Sequence, residues 1–292
     1  MALKIDFHMH TTVSDGTDTP AEILHKVADL GIGAFAVTDH DAEAGCGQIL
    51  EILGEQDARG AAAMPKFVTG VEFAARDDYG KYHIVGLGYD PDSTEIRELV
   101  ADAHAKRIRR LEIRLQYLQE HFGFYLPEQE IRALYKRDNP GKPHIGNLLV
   151  KYGYAPDRST AITEYINKAK TPGVGRITPD VVIRTILAAG GVPVLAHAVF
   201  GDGSEHLDHE ELDRRIAALK EYGLEGVEGY YSTFTKEMSK EMLAFAEQYD
   251  LYVSAGSDYH GKNKPIALGA TGLVDAEKDP RVMKLLARLS VI

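Results

Sequence analysis

The chain has little cysteine and no long apolar run. Its 292 residues include one cysteine, Cys46, which excludes both an intrachain disulfide and a metal site built on several thiolates. No stretch approaches the roughly 18–20 consecutive apolar residues of a transmembrane helix, so we expect no membrane association. The N-terminus enters a predicted strand directly, without the basic-then-apolar pattern of a signal peptide. We therefore expect a cytoplasmic protein in a reducing compartment.

A broad basic surface is also absent. The formal net charge of −11 argues against binding to duplex DNA, which needs a positively charged face. That charge does not exclude a small anionic substrate held by metal ions. The hydrophobic content of 44% is ordinary for a globular protein, and a chain of this length can bury a large core.

Seven short apolar segments alternate, mostly with helical ones. We predict strands at residues 3–10, 34–38, 67–73, 82–89, 192–196, 224–230 and 251–257. Such alternation predicts an α/β fold with a parallel sheet and right-handed crossovers. Closed up, seven such strands form a TIM-like (β/α)7 barrel, in which the chemistry lies at the C-terminal ends of the strands.

Two histidines close the first predicted strand. His8 and His10 are one residue apart, so their side chains should point the same way. A divalent metal is the usual reason for two imidazoles aimed at one point. A pair of ordinary polar residues at a strand end is the alternative.

Other residues of metal-ligand type lie at or near the remaining predicted strands. Glu72 lies inside an apolar run, where an ionised carboxylate is costly unless it is paired or metal-bound. An ordinary turn aspartate is the alternative for Asp15, and a core histidine is the alternative for His83. The further candidates are Asp15, His40, Glu72, His83, His197, Asp258 and His260.

The alternation of strands and helices stops in the middle of the chain. We predict helices at residues 93–122, 127–136, 144–152 and 159–169, and the first contains a cluster of lysine and arginine. This basic stretch is either a solvated helix face or a lid that supplies cations to a substrate. The predicted domains are a discontinuous barrel at residues 1–91 and 174–292, and a helical insert over the active site at residues 92–173.

Six motifs, taken in order, resemble those of the PHP (polymerase and histidinol phosphatase) family. They are His8-Met9-His10, Ser14-Asp15-Gly16, Thr38-Asp39-His40-Asp41, Gly70-Val71-Glu72, Ala196-His197 and Gly256-Ser257-Asp258-Tyr259-His260. The resemblance implies a distorted TIM-like barrel with three divalent metal ions at its mouth. It assigns one ion to His8, His10, Glu72 and Asp258, a second to Glu72, His83 and His197, and a third to Asp15, His40 and His260.

The helical insert carries a resemblance of its own. The run Lys142-Pro143-His144-Ile145-Gly146 resembles the insert of PHP proteins that remove phosphate from nucleotides. That branch includes phosphatases of 3′,5′-bisphosphonucleosides and relatives that trim RNA from its 5′ end. The chain departs from the branch at Gly173-Val174-Gly175-Arg176, where a Tyr-Val pair is expected.

The residues allow phosphoester hydrolysis by metal-bound hydroxide. Imidazole and carboxylate ligands suit manganese, zinc or iron. The positive charge of three divalent ions exceeds the negative charge of three carboxylates. The pocket would therefore be net positive and would suit a phosphate dianion. A metal-bound water with a pKa lowered to about 7 supplies the nucleophile. We predict Asp41 and His197 as proton donors to the leaving group, and the substrate-binding residues as Arg110, Lys142, His144 and Arg176.

The leading interpretation is a metal-dependent phosphoric monoester hydrolase. Its expected substrate is a small nucleotide such as a 3′,5′-bisphosphonucleoside, with the 5′ ends of short single-stranded RNA as a further substrate. Histidinol-phosphate phosphatase is one alternative. An amidohydrolase that cleaves a C–N bond is another, because that class also uses His-x-His on a barrel. A regulatory or polymerase-associated module would have lost ligands, whereas every ligand position is filled here.

Overall fold

The chain divides into two units in a computed structural model that describes residues 2–58, 65–203 and 205–289. The first unit consists of Met1–Val100 and Ile177–Ile292, and the second of Ala101–Arg176. The strands described below all belong to the first unit, and the second is helical. The predicted position of a helical insert over the active site stays a prediction.

Eight strands in the described part of the chain form two sheets. The first sheet is parallel, in the order β1-β2-β3, with β1 at Ile5–Asp6, β2 at Ala34–Ala36 and β3 at Lys66–Val68. The second follows chain order and consists of β4 (Gly70–Arg76), β5 (Lys81–Leu87), β6 (Val192–Leu195), β7 (Gly226–Tyr231) and β8 (Tyr252–Gly256).

Two details of the predicted sheet are wrong. The strand predicted at residues 67–73 is two strands, β3 and β4, in different sheets. Between them the hydroxyl of Thr69 donates to the carbonyl of Tyr89 at 2.6 Å. In addition, β5 is antiparallel to both β4 and β6. Residues 77–80 connect β4 to β5, and so short a connection cannot make the crossover that parallel strands require.

The two sheets are not closed into one continuous barrel, but isolated backbone bridges join their edges. Beyond β1, Met9 bridges Tyr259, which follows β8. Beyond β2, His40 bridges Glu72 in β4. These bridges bring together the chain segments that carry most of the predicted metal ligands.

The predicted helices are confirmed with small changes. The helices are α1 (Pro20–Asp29), α2 (Ala44–Ala58), α3 (Thr94–Phe122), α4 (Glu128–Tyr135), α5 (Lys142–Lys151), α6 (Arg158–Thr160), α7 (Pro179–Ala188), α8 (His209–Tyr222), α9 (Lys236–Gln248) and α10 (Pro280–Arg288). The sequence also predicts a helix over residues 44–59, and Arg59 at its end lies outside the described residues. The helix predicted at residues 159–169 is instead α6 followed by a π turn and a 3₁₀ turn.

Local sequence explains how α1 begins. Thr19 accepts the backbone N–H of Glu22, whose carboxylate accepts the N–H of Thr19 at 2.7 Å. This reciprocal capping box satisfies two backbone donors that the helix itself cannot. None of the described helices combines the length and apolar character that a membrane crossing requires.

Candidate metal centre

His8 and His10 face two carboxylates just beyond β1. Their Nε2 atoms lie 3.3 and 3.4 Å from opposite oxygens of Glu72. The same two atoms lie 3.6 and 3.2 Å from Oδ1 of Asp258. All four side chains are buried. The structure thus places two imidazoles and two carboxylates around one point, and they come from the segments after β1 and β8 and from within β4.

Glu72 lies at the middle of a larger group of histidines. Besides His8 and His10, its oxygens approach Nδ1 of His40 at 2.6 Å, Nδ1 of His83 at 2.9 Å and Nε2 of His197 at 3.3 Å. Five imidazoles exceed the roughly four lone-pair positions that a carboxylate offers to hydrogen-bond donors. Hydrogen bonding alone therefore does not account for this arrangement.

Asp15 and His260 complete the cluster. Nε2 of His260 lies 3.3 Å from Oδ1 of Asp15. The ring of His10 lies 4.4 Å from that of His40 and 4.1 Å from that of His260. Ligand atoms come within 4.8 Å of one another in three overlapping groups, which are His10, Asp15, His40 and His260; His8, His10 and Glu72; and His40, Glu72 and His83. The structure thus brings the nine predicted ligands into one cluster.

Several buried ligand atoms in this cluster lack a hydrogen bond. Nε2 of His8, Nε2 of His10 and Oε2 of Glu72 have no hydrogen-bond partner among the described residues. A buried polar atom left without a partner costs about 1–3 kcal/mol. Nitrogen and oxygen donors of this kind are the ligands that zinc, manganese and iron take in proteins. The residues present therefore fit divalent metal ions.

The charges of the cluster favour the ligand forms of Glu72, Asp258 and His10. Burial alone would raise the pKa of Glu72, but the neighbouring His40, His83 and His8 hold it well below its usual range. Asp258 shows the same balance, because His8, His10 and Lys264 together outweigh burial and lower the pKa of its carboxyl. Burial, with His260 and His40, lowers the pKa of His10. These carboxylates are ionised and His10 is neutral at neutral pH, as metal ligands must be.

Sequence analysis missed three residues that hold the ligands. Glu228, on β7, accepts a hydrogen bond from Nδ1 of His8 at 2.8 Å and one from the backbone N–H of His197 at 2.6 Å. Tyr231 and Lys264 both donate to Oδ2 of Asp258, each at 2.6 Å. An acidic residue inside an apolar strand, the signal that drew attention to Glu72, also marks Glu228.

Three residues of the site have left-handed backbone conformations. The φ angles of Asp41, His197 and Asp258 are 46°, 31° and 54°. Non-glycine residues reach this region at a cost of about 1–3 kcal/mol, and such strain concentrates at functional sites. Asp41, a predicted proton donor, accepts the backbone N–H of Ala74 at 3.0 Å. Its role as a donor stays a prediction.

A cavity of about 620 Å³ opens beside the cluster. Its walls combine candidate ligands with aromatic, apolar and charged side chains. The lining residues are Asp15, His40, His83, His197, Phe200, Asp202, Gly203, Tyr231, Thr233, Asp258, His260, Lys264, Pro265 and Ile266. This is a size typical of small-molecule sites.

The four predicted substrate-binding residues all belong to the second unit. The guanidinium of Arg110 donates to the carbonyl of Gly175 at 3.5 Å. Lys142 donates to Asn167 at 2.6 Å, and Nδ1 of His144 accepts the N–H of Gly141 at 3.2 Å. Burial, with the nearby Arg176 and Arg107, lowers the pKa of Arg114 to about 10. The roles of Arg110, Lys142, His144 and Arg176 in substrate binding stay predictions.

Comparison with known proteins connects this geometry to a family. The PHP domain profile matches residues 6–171. A curated 5′-3′ exoribonuclease of Haemophilus influenzae is 28% identical over 279 residues, which cover 94% of this chain and 97% of the relative. A 3′,5′-nucleoside bisphosphate phosphatase of Chromobacterium violaceum is 29% identical over 267 residues, covering 88% of this chain and 87% of the relative.

A solved structure agrees with these matches. A Bifidobacterium adolescentis protein, described as a metal-dependent phosphoesterase, is 30% identical and superposes with a TM-score of 0.77. That alignment covers 99% of this chain and 98% of the other. The resemblance inferred from the six motifs is confirmed. Because the domain profile spans more than half of the sequence and the relatives match over nearly their full length, the chain belongs to the PHP domain family.

Proposed function

We propose that the protein is a metal-dependent phosphoesterase that removes phosphate from a small nucleotide, a 3′,5′-bisphosphonucleoside. The observation that carries this proposal is the convergence of nine ligand-type side chains beside an open cavity, with buried nitrogen and oxygen atoms left without hydrogen bonds. The nucleoside bisphosphate phosphatase among the relatives supports the choice of substrate.

The donor set suits three divalent ions, which we propose to be manganese, zinc or iron. His8, His10, Glu72 and Asp258 would hold the first, Glu72, His83 and His197 the second, and Asp15, His40 and His260 the third. Glu72 has two oxygens facing different histidines, which supports a bridging role. Bound ions of this kind lower the pKa of a coordinated water towards neutrality and neutralise phosphate oxygens.

The chain's own residues orient these ligands. Glu228 accepts from Nδ1 of His8, which leaves Nε2 of that ring available as a ligand. The backbone N–H of His197 donates to the same carboxylate group. Of the two predicted proton donors, His197 lines the cavity, whereas the carboxylate of Asp41 accepts a backbone N–H from β4. Because His197 is also assigned to the second ion, we propose it as a ligand, and Asp41 is the proton-donor candidate that lies outside the ligand set.

Two architectural proposals accompany the catalytic one. The bridges that join Met9 to Tyr259 and His40 to Glu72 support a distorted barrel-like arrangement of the two sheets. The helical insert at residues 92–173 is proposed to contact the substrate through Arg110, Lys142 and His144, together with Arg176 just after the insert. Guanidinium and ammonium groups are the usual protein partners of phosphate.

A second substrate class is the 5′ end of short single-stranded RNA. The similarity to a 5′-3′ exoribonuclease over nearly the whole chain favours this candidate. Trimming RNA from its 5′ end requires cleavage of a phosphodiester, so the two substrate classes differ in the product that the enzyme releases. A nucleotide product indicates diester cleavage, and inorganic phosphate indicates monoester cleavage.

The test is phosphate release by manganese-reconstituted protein. Four substrates are compared, namely adenosine 3′,5′-bisphosphate, AMP, histidinol phosphate and a 5′-phosphorylated RNA trimer. His8→Ala removes a candidate ligand, and His25→Ala, an exposed histidine on α1, is the matched control. We expect the bisphosphonucleotide to be preferred by the wild type and the His25 variant and to be inert with the His8 variant.

Other outcomes separate the alternatives. A clear preference for histidinol phosphate would replace the nucleotide assignment. Release of mononucleotides from the trimer at the higher rate would favour the ribonuclease. Metal binding without turnover of any phosphoester would contradict the proposal and would make amide hydrolysis the leading alternative function.

A further inference from the structure

Three aromatic side chains pack together beside the metal cluster. The ring centroids of Phe200, Tyr231 and Phe234, which we call the aromatic wall, lie 5.2–6.3 Å apart. The ring of Tyr231 also lies 5.4 Å from that of His197. Phe200 and Tyr231 line the same cavity as six candidate metal ligands, and all three rings are only partly buried. The wall therefore presents apolar ring surface to the cavity that the ligands share.

Phe200 is tied to the cluster by one turn of backbone. Its N–H donates to the carbonyl of His197 at 2.8 Å, and its own carbonyl accepts the N–H groups of Gly203 at 2.8 Å and Glu205 at 3.2 Å. These bonds hold the backbone of Phe200 in place beside a candidate ligand. A site whose groups are held before binding loses less freedom when the ligand arrives.

Tyr231 is fixed from the opposite side. Its hydroxyl donates to Oδ2 of Asp258 at 2.6 Å, so the ring cannot swing away from the cluster without breaking that bond. Phe234 packs against both other rings and supports them from behind. The backbone of residues 231–234 also holds this arrangement, because the N–H of Phe234 donates to the carbonyl of Tyr231 at 2.9 Å.

The cavity has more room than a phosphate group needs. Its volume is about 620 Å³, and imidazoles, two rings of the aromatic wall, Pro265 and Ile266 are among its lining residues. A phosphate held at the candidate ligands leaves part of this volume for another part of the substrate. A flat, apolar and polarisable group would match a fixed aromatic ring best.

We propose that Phe200, supported by Tyr231 and Phe234, stacks against the base of the nucleotide whose phosphate is held at the metal cluster. This inference rests on the proposed phosphoesterase function and adds where the base binds. Every nucleobase has a π face, so stacking of this kind tolerates all four bases. It selects nucleotides over sugar phosphates without selecting among adenine, guanine, cytosine and uracil.

The experiment compares adenosine 3′,5′-bisphosphate with its abasic counterpart, the 3′,5′-bisphosphate of 1-deoxyribose. Values of kcat/KM are measured for the wild type, Phe200→Leu and Phe200→Tyr. Tyr79→Leu, which removes an exposed aromatic ring in the β4–β5 turn, is the matched control. Calorimetric Kd values for AMP and ribose 5-phosphate give a second readout that does not need turnover.

We expect the wild type to prefer the adenosine substrate by roughly tenfold or more, the value that stacking of one base supports. Phe200→Leu should lose most of this preference, because its KM should rise much more for the adenosine substrate than for the abasic one. Phe200→Tyr and Tyr79→Leu should keep it. Equal use of both substrates by the wild type, or a full preference retained by Phe200→Leu, would overturn the stacking inference alone. Failure of the wild type on both substrates would instead overturn the phosphoesterase function together with it.

Discussion

Nδ1 of His8 lies 2.8 Å from Oε1 of Glu228, and this contact decides which nitrogen of the ring is available to a metal ion. A carboxylate can only accept, so Nδ1 carries a hydrogen, and Nε2 is the nitrogen that offers its lone pair once the ring is neutral. Carboxylate–histidine pairs of this kind orient the ring and raise its basicity as a ligand. Both side chains are buried, so water does not substitute easily for either partner.

Glu228→Gln is expected to weaken metal binding. The amide keeps one acceptor, whereas Glu228 now accepts from both His8 and the backbone of His197. Loss of such a partner typically lowers metal affinity by about 10–100-fold. The measurement is the Kd for Mn²⁺ by calorimetry. Glu221→Gln, an exposed change on α8, is the control, and equal affinities in the two variants would contradict the role of Glu228.

Tyr231→Phe and Lys264→Met are each expected to lower metal affinity. Both residues donate to Oδ2 of Asp258, which leaves Oδ1 facing His8 and His10. Without one donor the carboxylate is free to rotate away from the ligand geometry. Metal content after dialysis, measured by mass spectrometry, gives the readout.

The control for that pair lies one residue away. Tyr230→Phe removes a hydroxyl that donates to Asp279 at 2.8 Å, away from the cluster, and should leave metal content unchanged. Lys264→Arg keeps a cationic donor and should retain more metal than Lys264→Met. Full metal occupancy in all four variants would show that metal binding does not need the hydrogen bonds to Oδ2 of Asp258.

Metal affinity is expected to rise with pH. Burial alone would lower the pKa of His8, but Glu228, Glu72 and Asp258 outweigh it and raise the pKa well above its usual value. Metal-free protein therefore keeps a proton on His8 near neutral pH, and a bound ion must displace it. Because that competition weakens as pH increases, Kd should fall from pH 6 upwards.

Calorimetry in two buffers of different ionisation enthalpy counts the displaced protons. We expect His8 to release about one proton per protein molecule when the metal ions bind at pH 7. Glu228→Gln removes the leading carboxylate neighbour of His8 and should reduce the count. Proton release that is absent in the wild type would contradict the raised pKa.

Gly70→Ala is expected to destabilise the fold. A Cβ at this first residue of β4 would lie 2.5 Å from the carbonyl oxygen of Val37, a backbone atom that has little freedom to move. The strain should fall on the junction between the two sheets. Urea unfolding gives the measurement, with an expected loss of about 1–3 kcal/mol.

Gly54→Ala is the matched change in α2, where an added Cβ meets nothing within 4 Å. Helix propensity favours alanine there by up to about 1 kcal/mol, so this variant should be slightly more stable than the wild type. A similar loss in both variants would show that the contact with Val37 is not the cause.

The sequence made the ligands easier to predict than the residues that support them. His8 and His10 stand out because their spacing in a strand forces them to one side, and Glu72 because it interrupts an apolar run. The role of Lys264 depends on a contact with Asp258 that the folded chain creates, and an exposed lysine in a loop has no pattern of its own. The role of Phe200 is equally hard to predict, because an aromatic residue in a sequence usually indicates a position in the hydrophobic core.

Strand direction was the weaker part of the fold prediction. Alternation of strands and helices correctly indicated an α/β fold, yet it could not show that β5 runs antiparallel to its neighbours. The deciding feature is the short connection at residues 77–80. The break at Thr69 was also hidden, because the sequence is mostly apolar on both sides of it, from Phe67 to Phe73.

The cluster draws its members from opposite ends of the chain, from His8 to His260. β1 reaches the strand that precedes His260 through the N–H of Phe7, which donates to the carbonyl of Ala255 at 2.9 Å. Contacts between residues so distant in sequence form late and slowly, because closing a long loop is entropically costly. During synthesis, the first pair of histidines therefore waits for nearly the whole polypeptide before the remaining ligands arrive. We therefore expect metal capture to follow the completion of folding, and a nascent or truncated chain to hold no finished centre.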